Sequence, residues 1–197
     1  MSTLPKNKRK DELLTITAKS LFWKYGIKKV NIEEICIEAG VSKMTFYRYF
    51  KNKTELIKKV IENLFNGILN DYQHIMNKDV PFEEKVREQL MMKFEGTNDI
   101  SPELIKDIYG EPESEICQYW KSHADEMMKQ VIDDYKKAQE EGWIRKDIKL
   151  EFILYMSNKT MELASDESLQ AMYPNMQAMI MEIANFFFYG ILPYSKK

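Results

Sequence analysis

The sequence is poor in the residues that most metal sites, disulfide frameworks and phosphate-binding loops require. Its 197 residues include two cysteines, Cys36 and Cys117, and two histidines, His74 and His123. With no C-x-x-C pair, neither a disulfide framework nor a clustered metal site is indicated, and Cys36 is expected to pack in a core. Glycine and proline are also sparse, at seven and six residues. They occur singly, so glycine-rich phosphate loops and low-complexity linkers are excluded. There is no G-x-S-x-G elbow and no H-E-x-x-H, and the adjacent Glu140 and Glu141 read as a solvated helix end, so no enzyme activity and no cofactor is expected. No apolar run approaches the ~20 residues of a membrane span. Even Met179 to Leu192 is interrupted by Glu182 and Asn185, and Met1 to Lys10 is polar and basic, without the apolar core of a signal peptide. A cytoplasmic protein without membrane contact is the expectation.

Charge is balanced overall but not along the chain. The 29 basic and 31 acidic side chains leave a net charge of −2. Residues 1–60 hold 14 Lys and Arg against 6 Asp and Glu, a net of +8, whereas residues 61–197 hold 15 against 25, a net of −10. A basic head on an acidic body suits a protein that neutralises phosphate at one end, and argues against a protein that coats nucleic acid along its whole length.

The periodicity is helical throughout, without strand alternation or internal repeats. Leu14, Ala18, Leu21, Phe22 and Tyr25 form an apolar stripe that Gly26 ends. Ile32, Ile35, Cys36 and Ala39 have the spacing of one face of a second helix, about 32–39. Gly40 suits a left-handed helix end, and Ser42 a cap for a third helix, about 43–49. Asn52 with Glu55 makes a capping box for a fourth, running to about Met76. Pro81, Gly96, Pro102, Gly110, Pro112, Gly142 and Pro174 then divide the remainder into about five more helices. Two short helices joined by a turn at Gly40, the second free to lie in a major groove, make a helix-turn-helix.

Ala18, Leu21-Phe22, Gly26, Val30, Ile35, Ala39-Gly40-Val41-Ser42, Thr45, Tyr47, Phe50, Lys53 and Leu56 resemble the DNA-binding domain of TetR (tetracycline-repressor-like) transcriptional regulators. The likeness covers about Ile16 to Leu56. Two positions depart from the family's habit, Asn31 where Thr is common and Met44 where Gly is common. Asn31 caps a helix equally well, while Met44 bears on which bases or phosphates the helix reaches.

The resemblance implies an all-α protein of about nine helices, with a DNA-binding head at 1–52 and an effector-binding and dimerisation body at 53–197. Its expected partners are double-stranded operator DNA, a second copy of the chain and an unidentified small-molecule effector. The expected DNA-contacting residues are Asn31, Ser42, Lys43, Met44, Thr45, Tyr47, Arg48 and Lys53. The start of the recognition helix attracts phosphate and lets side chains reach base edges, and Arg48 suits phosphate or guanine. Phe46 and Phe50 are expected in the core.

A long helix ending at Gly142-Trp143-Ile144-Arg145 and a new one from about Leu150 also fit the family. Its dimers use the last two long helices, expected here at 150–165 and 169–190. The broad apolar face of Met172, Met176, Met179, Ile180, Ile183, Ala184, Phe187, Phe188 and Ile191 is the candidate interface. Phe94, Tyr109, Tyr119, Trp120, His123, Met127, Met156 and Met161 are the candidate lining of an effector cavity, with ordinary core packing as the alternative for each. Two other functions remain open: a helical enzyme or carrier with a structural head, and a DNA-binding protein that no ligand releases.

Overall fold

A computed structural model describes residues 9–193, except for the side chains of residues 157, 158 and 160–162. Every element among the described residues is a helix: α1 (Lys10–Tyr25), α2 (Ile32–Glu38), α3 (Lys43–Tyr49), α4 (Lys53–Met76), α5 (Phe82–Gly96), α6 (Pro102–Tyr109), α7 (Glu115–Glu140), α8 (Leu150–Leu163), α9 (Glu167–Gln170) and α10 (Met176–Ile191). None is long and apolar enough to cross a membrane.

These residues form two compact units. The first takes the described part of Met1–Leu64 together with Ile100–Trp120, and the second takes Phe65–Asp99 with the described part of Lys121–Lys197. In the first, Leu14 and Phe22 of α1, Ile35 of α2, Phe46 of α3 and Leu56 of α4 are buried, as are Leu104 and Ile108 of α6. Tyr25, the last residue of the expected α1 stripe, is exposed instead. The stripe therefore stops one turn early, just before Gly26, whose N–H bonds Phe22 O at 2.9 Å.

Helix α6 is fastened to the turn that follows α1. Ser101 N donates to Trp23 O at 2.9 Å, and Asp107 Oδ2 accepts from Lys28 N at 2.8 Å. Lys29 pairs with Glu103 at 2.9 Å and Lys28 with Glu111 at 2.7 Å. These bonds hold Glu103 and Glu111 below the usual carboxylate range, the lysine hydrogen bond being the leading cause in each. Acids from residues 103–111 thus sit on the basic head, which the sequence presents as a separate block.

The second unit is built around Phe82, Val86 and Leu90 of α5, Tyr135 and Ala138 of α7, Ile144, Ile153 of α8, and Ala184, Phe188 and Ile191 of α10. Gly142, at φ +85°, ends α7, letting Trp143 N bond Ala138 O at 2.8 Å. Arg145 Nε and a guanidinium N–H then grip the Asp147 carboxylate at 3.0 and 2.9 Å. The expected continuous helix over 169–190 is broken. Pro174 interrupts it, and Asn175 starts α10 by accepting from Ala178 N at 2.8 Å. The short α9 fills the gap, giving ten helices among the described residues against the expected nine or so.

Candidate nucleic-acid interface

The geometry of α2 and α3 is set by their caps. Asn31 Oδ1 accepts from Glu34 N at 3.0 Å while Glu34 Oε2 accepts from Asn31 N at 2.8 Å, a closed capping box. Gly40 takes φ +65°, and Val41 N returns to Cys36 O at 2.9 Å, so the turn is fixed by its own backbone. Ser42 Oγ accepts from Thr45 N at 3.1 Å and lies 3.0 Å from Thr45 Oγ1. Beneath, Phe46 meets Phe50 with ring centroids 5.8 Å apart, and both are buried. The Tyr47 ring stands edge-on to Phe46 at 5.3 Å. The fully buried Phe46 fixes how α3 is rotated, and that rotation decides which side chains face water.

Those side chains are Met44, 82% exposed, and Tyr47, 56% exposed, with Lys43 and Arg48 also exposed. The Arg48 guanidinium lies 5.4 Å from the Tyr49 ring. Lys43 Nζ is paired with Glu33 Oε2 at 2.9 Å, a bond between residues ten apart that local sequence patterns do not reveal. Lys53 is half-buried, and its ammonium donates to Ile27 O at 2.7 Å and Val30 O at 2.6 Å. An ammonium has three donors, so one is left for a further acceptor. Burial lowers the Lys53 pKa, against the opposing attraction of Asp107 and Glu34.

A profile of the bacterial regulatory proteins of the tetR family matches residues 14–60, spanning α1 to the first turns of α4. Over that stretch the chain is similar to the TetR family of regulators. Among curated proteins it is 25% identical over 87 residues to the nucleoid occlusion factor SlmA of Mannheimia succiniciproducens, covering 44% of this chain and 40% of that one. It is 28% identical over 101 residues to the HTH-type transcriptional regulator YhgD of Bacillus subtilis, covering 50% and 52%. The chain therefore spans about half the length, or less, of these curated relatives. The TetR-like fold extends further: the fatty acid degradation regulator FadR from Bacillus halodurans superposes with a TM-score of 0.73 over 94% of this chain and 98% of its own, at 15% identity.

The body residues singled out from the TetR resemblance are distributed over both units. In the first, the Tyr109 and Trp120 rings meet edge-to-face at 6.3 Å, and burial raises the Tyr109 pKa. Tyr119 lies 5.2 Å from Lys58 Nζ, which also pairs with Glu115. In the second, His123 stacks obliquely on Phe65 at 5.7 Å, Met127 and Met156 are half-buried, and Phe94 is exposed while its carbonyl accepts from Gln177. The Met161 side chain lies outside the described residues. A surface concavity of about 650 Å³ in the first unit is lined by Tyr119 with Thr15, Tyr49 and Lys58, among others. A groove of about 720 Å³ in the second unit is lined by Met76, Phe82, Asp134 and Trp143, among others, and touches none of the seven candidates whose side chains are described.

Helix α10 divides the candidate interface residues. Met176, Met179, Ala184, Phe188 and Ile191 are buried within the chain itself, Ile180, Ile183 and Phe187 are half-buried, and Met172 is exposed. The strongly exposed apolar residues of α10 are Phe186 at 81% and Tyr189 at 61%, with Phe152 and Tyr155 exposed on α8. None of these four is among the residues expected at the interface from the sequence. Their one-turn spacing within each helix was visible, but nothing local told the outer face from the inner. No group of three or more His, Cys, Asp or Glu among the described residues is placed to hold a metal ion.

Proposed function

We propose that the chain is a cytoplasmic DNA-binding transcription regulator, without enzyme activity, that binds a palindromic operator as a homodimer and represses until a small molecule releases it. The observation that carries this reading is the capped α2–turn–α3 unit, which holds Met44, Tyr47 and Arg48 outward on a basic, tightly packed head. Asn31, Ser42, Lys43 and Thr45 add polar groups at the two helix starts, where backbone N–H groups and the helix dipole favour phosphate. Lys53 contributes its remaining donor. The functional boundary we adopt is 1–52 for the reading head and 53–197 for the body.

Two heads about 34 Å apart read successive major-groove faces, which is the physical reason for a dimer. For its interface, the exposed Phe152, Tyr155, Phe186 and Tyr189 are better placed than the buried part of α10. Release by a ligand requires that the ligand prefer an arrangement unable to bind DNA. Tyr109, Tyr119, Trp120, His123, Met127, Met156 and Phe94 remain the candidates for sensing it.

The test is selection of bound fragments from the source genome by the purified protein, with Tyr47→Ala as the control. Recovery of a palindrome by the wild type alone supports sequence-specific regulation, and the adjacent genes supply ligands to test for release. No enrichment over the control refutes the reading. Operator binding that none of these ligands relieves would favour a DNA-binding protein without an effector.

A further inference from the structure

The polar groups at the start of α3 are all engaged within the head. Ser42 and Thr45 bond each other, Glu34 is used by the capping box, and Arg48 lies against Tyr49. Helix α3 carries no acid of its own. One carboxylate nevertheless reaches it: Glu33, in the first turn of α2, holds the Lys43 ammonium at 2.9 Å. Both side chains are exposed, at 62% and 54%, so the pair is open to solvent and to any ligand laid on this surface.

Resting on the regulator reading above, we infer that Glu33 is a specificity-determining residue of the DNA-reading surface, an internal countercharge that weakens the pull of DNA phosphate on Lys43. Phosphate attraction is the same for every sequence, so weakening it at Lys43 reduces non-specific binding directly. A lysine held through one N–H still has two to offer. Guanine O6 and N7 are acceptors a lysine can meet without leaving Glu33. The pair therefore penalises phosphate capture more than base reading. An exposed ion pair has a modest worth, which corresponds to about 1.5- to 5-fold in affinity.

Glu33 has a plainer role available, since an acid in the first turn of a helix interacts favourably with its dipole. That role changes stability and leaves the salt dependence of DNA binding untouched. The two are separated by fluorescence-anisotropy titrations of the full chain on the selected operator duplex and on a random-sequence duplex, each over a range of salt, for wild type, Glu33→Gln, Lys43→Met and the double variant. Glu33→Gln is expected to tighten binding to the random duplex by about 1.5- to 5-fold. It should also steepen the salt slope by about 0.9, one added phosphate contact, and lower the operator-to-random ratio. In the Lys43→Met background it should do none of these. An unchanged slope and ratio would overturn the inference. So would an equal gain in the Lys43→Met background, which would mean that Glu33 simply repels phosphate. Failure of the wild type to bind either duplex would instead remove the regulator reading, and this inference with it.

Discussion

Replacing Gly26 by alanine is expected to destabilise the first unit more than any other glycine-to-alanine change in the head. Gly26 has φ +83° and ψ 162°, a region open in practice to glycine alone, where strain is about 1–3 kcal/mol for another residue. An alanine Cβ there would stand 2.8 Å from Asp107 Oδ2 and 2.9 Å from Glu103 Cβ. Neither neighbour is a loose side-chain end. Asp107 bonds Lys28 N, Glu103 pairs with Lys29, and the Glu103 backbone carbon lies 3.3 Å away. Overpacking of this kind costs about 1–3 kcal/mol, so the sum is about 2–6 kcal/mol. Gly40 is the control, because at φ +65° it has no heavy atom within 4 Å of a built Cβ, leaving only the left-handed penalty of about 1–2 kcal/mol. Urea unfolding followed by far-ultraviolet circular dichroism measures both. With an m-value of about 1–3 kcal/mol/M, Gly26→Ala should lower the midpoint by about 1 M or more, and Gly40→Ala by less. Equal shifts would refute the close packing of α6 on the turn after α1.

Lys53→Met should cost about 1–3 kcal/mol, because it removes two charge-assisted hydrogen bonds and strands the Ile27 and Val30 carbonyls. A urea midpoint within error of wild type would count against that clasp. Glu103 and Glu111 have pKa values depressed by their lysine partners, so the folded state releases their protons more readily than the unfolded chain. Their contribution is complete above the ordinary carboxylate range, about pH 4.3, and is lost as pH falls through their lowered values. A Glu103→Gln, Glu111→Gln variant should therefore show a shallower loss of stability on acidification, and identical acid profiles would contradict the assignment. Phe186→Glu with Tyr189→Glu should give a monomer by sedimentation at concentrations where the wild type is dimeric. Because both residues are exposed, the melting temperature of the isolated chain should hardly move; a stable double-variant dimer would exclude this face.

The head was legible because its signals are local. Asn31, Ser42 and Asn52 each cap a helix by accepting from an N–H three residues on, and Gly26 and Gly40 supply positive φ at the two turns. Even here one bond differs: Glu55 returns to Lys51 N at 2.6 Å rather than to Asn52 N. What the sequence hid is what long-range contacts decide. The Lys29–Glu103 and Lys28–Glu111 pairs join residues 74 and 83 apart. No periodicity records such a pairing, so the basic head and the acidic α6 read as separate blocks. Lys53 was matched to a phosphate contact on its position alone, and its bonds to carbonyls 26 and 23 residues away were equally invisible.

Helix α10 shows the same limit from the opposite side, with too much signal rather than too little. A helix with one apolar stripe announces which face is buried. From Met176 to Ile191, apolar residues occur on nearly every face, so periodicity cannot separate the side that meets α5 and α8 from the side left in water. Packing makes the choice, placing Met179, Ala184 and Phe188 inside and Phe186 and Tyr189 outside. Covering a fully exposed phenylalanine is worth about 1.5–3 kcal/mol, and a two-fold interface would cover each such residue twice, once per protomer. Phe186 and Tyr189 are spaced one turn apart on α10, as are Phe152 and Tyr155 on α8. A lone chain leaves these side chains hydrated, and any apolar partner that covers them recovers this energy. In the homodimer proposed above, a second copy would present the same four side chains in the same spacing, so the apolar excess that obscured the inner face in the sequence would serve the outer face there.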